Sequence, residues 1–139
     1  MFEKILVAVD LAHADKSSSI IARAKKLADI NEGQLTLLNV VIEIPPYVSF
    51  ELPAGIQEKS ISDAKVSLTK LAEESELPPS TTIEVKKGNP ANEILKLAKE
   101  INADLILVVS HQPELADYLL GSVAGKVVRH AECTVMVVR

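Results

Sequence analysis

The chain is poor in cysteine, in aromatic residues and in blocks of like charge, and each shortage removes a class of protein. Its one cysteine, Cys133, rules out an internal disulfide, as suits a reducing compartment. No CxxC pair accompanies Cys133, which reads as a small residue at a strand entry. Aromatic residues make up 3% of the sequence and tryptophan is absent, so aliphatic side chains must build the core, as in a buried parallel sheet. The 15 basic and 19 acidic residues give a net charge of −4 and are scattered along the chain. That pattern lacks the electrostatic footprint that tracks a phosphate backbone, so no nucleic-acid partner is expected. The opening apolar run, from Met1 to Asp10, is broken by Glu3 and Lys4 and falls far short of the ~18 residues that span a bilayer. It also lacks the basic start, long apolar stretch and cleavage site of a secretory peptide. A cytoplasmic protein with no membrane insertion is expected.

What is present points to one globular domain covering 1–139, since 139 residues with 47% hydrophobic and 24% charged content suit a single core. Four apolar, β-branched runs read as strands: Ile5 to Val9, Leu35 to Ile42, Leu105 to Val109 and Thr134 to Val138. A weaker alternating run, Thr82 to Lys86, makes a fifth. Between them, apolar residues recur at helical spacing: Ile20, Ala24, Leu27 and Ala28, then Ile61, Ala64, Leu68, Leu71 and Ala72, then Ile94, Leu97, Ala98 and Ile101. Asp15 precedes the first helix and Gly33 follows it, Pro78 and Pro79 stop the second, and Pro90 opens the third. A short fourth starts at Gly121 or Ser122 and runs to about Arg129. The segment from Glu43 to Ile56, rich in proline, reads as a long surface loop.

Strands alternating with helices predict an α/β fold, a doubly wound, five-stranded, mostly parallel sheet with helices on both faces. The order 3-2-1-4-5 is favoured partly by fold analogy. Ligands of such sheets gather at the strand carboxyl ends where the winding reverses, here between the first strand, ending at Asp10, and the fourth, ending in Ser110, His111 and Gln112. Gly121-Ser122 at a helix start admits two readings: main-chain N–H groups and a hydroxyl for an anion, or plain helix capping by Ser122. Asp10 likewise reads as a ligand for ribose or Mg²⁺, or as a polar strand terminus that caps its own loop. His111 reads as a phosphate contact or as a solvent-facing loop residue. His13 and His130 have no partner at metal spacing, and surface or structural roles are expected.

VAVD at 7–10, KGNPANEIL at 87–95 and LLGSVAGKVVRHAECTVMVVR at 119–139 resemble the universal stress proteins. SHQPELADYLLGS followed by VVRHAEC is similar to their short F branch. The resemblance implies a homodimer and, in one large subgroup, bound ATP or AMP. It implies Ala8, Val9 and Asp10 at the base and sugar, and Val40 beside the adenine. Val109, Ser110, His111 and Gln112 would line the ribose and phosphates, with Gly121, Ser122 and Val123 on the phosphates. The subgroup's glycine pattern is incomplete: Gly121-Ser122 matches its last element, whereas Val109 and Gln112 stand near its first two glycines. Close backbone approach is the physical reason for those glycines.

Three functions follow. The leading one is a stress-response module that binds adenine nucleotide and signals through partner or assembly, without catalysis. The second is a slow ATP hydrolase or phosphotransferase, against which stands the absence of a GxxxxGK[ST] loop. The third is a dimeric interaction protein whose site binds no nucleotide. The dimer is expected through Thr134 to Val138, whose edge would otherwise stay unpaired.

Overall fold

The computed structural model describes residues 2–110 and 120–139. Strands β1 (Lys4–Ala8), β2 (Gln34–Val41), β3 (Thr82–Lys87), β4 (Leu105–Val109) and β5 (Thr134–Val138) form one sheet in the order β3-β2-β1-β4-β5. All four neighbouring pairs are parallel. The expected class and strand order are therefore observed. Helices α1 (Ala14–Asn31) and α3 (Ile56–Glu74) cover one face, α4 (Pro90–Glu100) and α5 (Ser122–His130) the other.

Alternation along each strand divides the core. Ile5, Val7, Leu35, Leu37, Leu105 and Leu107 meet Ile20, Ile21 and Ala24 of α1 and Leu68 of α3. Leu6, Leu38, Ile106 and Val108 meet Ile94 and Leu97 of α4 and Val127 of α5. The central strands are buried on both faces, which is why they read as unbroken apolar runs. β3 is half-buried along most of its length, matching its weaker alternation.

Helix boundaries depart from the sequence reading in small ways with clear causes. Asp15 lies inside the first turn of α1, where its charge suits the positive helix end, and His13 takes the N-cap position. At the far end Glu32, at φ 51°, adopts the left-handed conformation usually given to glycine. Gly33 is there for proximity instead: a Cβ on it would come within 2.6 Å of the Phe2 carbonyl. In α4, Asn89 caps the start by accepting from Asn92 N at 3.1 Å, followed by Pro90 in the first turn. The expected loop from Glu43 to Ile56 contains a one-turn helix, α2 (Pro46–Ser49).

The amino ends of the central strands are tied together. Asp104 accepts from Glu3 N at 2.7 Å and Lys4 N at 3.0 Å, while its own N–H donates to Lys4 O at 2.9 Å. These bonds hold the starts of β1 and β4 side by side.

Candidate functional site

Parallel pairing decides what the carboxyl end of β2 presents. Val9 N donates to Leu38 O at 2.8 Å, so the peptide groups of Leu38 face β1. Two residues on, those of Val40 face the same side. By then β1 has left the sheet: its last paired residue is Ala8, opposite Leu38. Val41 faces the other way, its carbonyl accepting from Gly88 N at 2.9 Å. The N–H and C=O of Val40 thus point into a gap beyond the end of β1.

A cavity of about 230 Å³ lies at this place. Six residues read from the sequence line it: Ala8, Val9, Asp10, Val40, Val109 and Val123. Six others join them without having been singled out: Leu38, Asn39, Ile42, Pro90, Ile94 and Val108. Leu38, Ile94 and Val108 carried only the signature of core residues, and Pro90 that of a helix start. Asn39 was legible only as a polar interruption in an apolar strand. His111 and Gln112 lie outside the described residues.

Ser110 joins the end of β4 to the start of α5, its Oγ accepting from Gly121 N at 3.4 Å. Gly121 is the N-cap residue, and no side chain caps the helix. Plain capping by Ser122 is thereby corrected: Ser122 is the first helical residue, too far into the helix to act as its N-cap, and its side chain is exposed. The first helical bond, Gly125 N to Gly121 O at 2.8 Å, leaves the N–H groups of Ser122, Val123 and Ala124 ahead of any acceptor within the helix. They form its positive end. Gly121 and Ser122 border an open depression of about 400 Å³ with Lys126, Arg129 and His130. Val123 belongs to the neighbouring cavity, so the start of α5 stands between an apolar recess and a basic one.

Asp10 realises the local-turn alternative. Its Oδ1 accepts from Ala12 N at 2.9 Å and its Oδ2 lies 3.0 Å from His13 Nδ1. The side chain remains 39% exposed, so it also meets solvent at the cavity mouth. The pairing of His13 with Asp10 went unread because a metal was the only partner considered for that histidine. Two buried side chains brace the same turn: Ser17 Oγ donates to Asp10 O, and Asn39 Nδ2 donates to Val9 O at 2.9 Å. Among the described residues, no group of three or more His, Cys, Asp or Glu side chains is placed to hold a metal.

Another recess, about 350 Å³, lies at the amino end of the sheet and is lined in part by Leu95, Ile106, His130 and Cys133. Burial, followed by the negative charges of Asp104 and Glu132, pushes the Cys133 thiol above its ordinary pKa. That favours the protonated, unreactive form, in line with a structural cysteine. No described helix is long and apolar enough to cross a membrane.

The sequence profile described as Universal stress protein family matches residues 1–139. The chain belongs to the universal stress protein family. Universal stress protein G of Shigella flexneri is 29% identical over 143 residues, covering 100% of both chains. A relative from Staphylococcus aureus (strain USA300) is 36% identical over 143 residues, covering 99% of this chain and 84% of its own length. Among solved structures, universal stress protein UspA from Lactobacillus plantarum superposes with a TM-score of 0.79 at 26% identity, covering 99% of this chain and 98% of that one. Two more distant universal stress proteins share the fold and were solved with nucleotides. One, in complex with cAMP, has a TM-score of 0.73 at 19% identity over 99% of this chain and 97% of its own. The other, from Archaeoglobus fulgidus in complex with dAMP, has a TM-score of 0.66 at 16% identity over 99% and 98%.

Proposed function

We propose that this universal stress protein is a cytoplasmic stress-response module that binds an adenine nucleotide, ATP or AMP, and acts through assembly or a protein partner and not through turnover. The observation that carries the reading is the pair of main-chain groups on Val40, one donor and one acceptor, opening beside an apolar cavity. An adenine edge carries a ring-nitrogen acceptor next to an amino donor, which complements that pair. Ala8, Val9 and Asp10 then border base and ribose, Val109 and Ser110 lie along the ribose, and Gly121, Ser122 and Val123 offer α5's leading N–H groups to the phosphates. His111 and Gln112 remain part of the proposed set. The complexes of family members with cAMP and dAMP support the ligand class.

Mg²⁺, where it accompanies ATP, would find one protein carboxylate in Asp10 and complete its shell with phosphate oxygens and water. Membership of the F branch is proposed from the likeness of SHQPELADYLLGS and VVRHAEC. The homodimer is proposed through β5, which pairs with β4 on one side only and carries half-buried Val135, Met136 and Val137. Sedimentation at micromolar concentration checks it: a monomer overturns the dimer.

One observation favours the interaction-protein alternative. Val109 forms cavity wall where the nucleotide-binding subgroup has a glycine, so the recess is narrower on that side. Calorimetry with AMP and with Mg²⁺-ATP decides between them, together with chromatography of nucleotide released on denaturing the purified protein. Saturable binding supports the nucleotide module, whereas no heat at millimolar nucleotide and no released nucleotide favour the interaction protein.

A further inference from the structure

A continued ladder between β1 and β2 would place two bonds on Val9. Its N–H would donate to Leu38 O and its C=O would accept from Val40 N, as parallel registers alternate. The first bond is made, at 2.8 Å. The second is not: Val9 O accepts instead from Asn39 Nδ2, at 2.9 Å. Asn39 is 9% exposed, one of three buried polar residues among those described, so its amide is committed to this bond in a low-dielectric setting. The acceptor next in line for the Val40 N–H instead takes its hydrogen bond from the side chain of the neighbouring residue.

We propose that Asn39 is a positioning residue that keeps the Val40 N–H open for ligand, by standing in for the next rung of the sheet. The assignment rests on the nucleotide reading for the identity of the ligand, an acceptor nitrogen on a purine edge, but not for the exchange of partners itself. Without the amide, Val9 O is an unpaired carbonyl next to an unpaired main-chain donor. Val9 O and Val40 N stand at successive positions of the β1–β2 ladder, and pairing them removes the cost of an unmade hydrogen bond at a buried site. β1 and β2 then zip one residue further, and the adenine-facing edge of Val40 closes. Ser17 acts one residue later on the same turn, holding the Asp10 carbonyl from α1.

Two measurements on the folded full-length chain test this. Amide hydrogen exchange by NMR is expected to show Val40 exchanging faster than the laddered Leu38 in the free protein and becoming protected when AMP is added. In Asn39→Leu, Val40 is expected to be protected without AMP, and AMP affinity by calorimetry to fall at least tenfold while the thermal midpoint moves little. A residue that merely stabilised the fold would lower the midpoint and leave Val40 exchange fast. Asn39→Asp, of the same size but with no donor, is the second variant should the leucine disturb packing, and is expected to lose AMP affinity equally. Val40 protected in the wild type without nucleotide, or unchanged AMP affinity in both folded variants, overturns the proposal. If the wild type binds no AMP, the nucleotide reading fails by itself, and Val40 exchange in wild type against Asn39→Leu still decides whether Asn39 holds the rung open.

Discussion

The two ends of the sheet differ in which main-chain groups they leave over. At the amino end, Asp104 gathers the N–H groups of Glu3 and Lys4, and Gly33 allows a close approach to the Phe2 carbonyl. At the carboxyl end, side chains bind both kinds of group: Asp10 and Ser110 accept from Ala12 N and Gly121 N, while Asn39 and Ser17 donate to the carbonyls of Val9 and Asp10. Donors are left over there, on Val40 and on the first turn of α5. An end whose described donors are tied down contributes stability, and an end with donors left over offers them to a ligand. The contrast predicts that substitutions at the amino end lower stability and spare binding, with the reverse at the carboxyl end.

The largest expected effect breaks the binding end. Gly121→Asp with Ser122→Ala brings a carboxylate to the proposed phosphate position and deletes a hydroxyl. One lost hydrogen bond to a charged phosphate costs about 1.5–3 kcal/mol, so ATP affinity should fall at least about tenfold before any repulsion is counted. Calorimetry measures it, and a near-wild-type thermal midpoint shows that the fold is intact. The next effect, at the opposite end, should be the mirror image. Gly33→Ala forces the Phe2 carbonyl to move and should cost about 1–3 kcal/mol of folding stability in urea, with AMP affinity unchanged in the folded protein. A smaller loss, about 1 kcal/mol, is expected for Asp104→Ala, because its two bonds lie in an exposed setting.

The smallest effect sharpens the comparison through pH. Since the Cys133 thiol is raised in the folded state, first by burial, the unfolded chain loses that proton earlier as pH rises. The contribution is therefore complete below the ordinary thiol pKa and lost as pH climbs through the folded one. Cys133→Ala should flatten the alkaline limb of the stability curve and leave AMP binding unchanged. Thermal melts across that limb measure it, and an unaltered limb would remove Cys133 from the account.

Legibility in the sequence followed locality. β4 and β5 were read with their bounds intact, because each is a run of apolar residues closed by polar neighbours. The start of α4 was read at Pro90, a local helix-start signal, while its Asn89 cap was not. α2 was missed, since four residues supply no periodicity and the prolines around them read as loop. The lining of the cavity was half legible: a strand terminus such as Asp10 announces itself, and Ala8, Val9, Val40, Val109 and Val123 came with the family resemblance. Leu38, Ile94 and Val108 do not announce themselves, because a core residue at the top of a sheet has the same pattern as one in its middle.

By itself, the sequence determined the alternation of strands and helices, the buried character of the central strands and the family to which the chain belongs. All of these depend on neighbours within a few positions or on patterns repeated along the chain. Only the tertiary structure decided which main-chain groups remain to meet a ligand. That depends on where β1 leaves β2, and on an amide at residue 39 reaching a carbonyl 30 positions earlier. Backbone donors and acceptors are the same in every residue but proline, so their availability is written in few side chains and emerges only once the strands are paired.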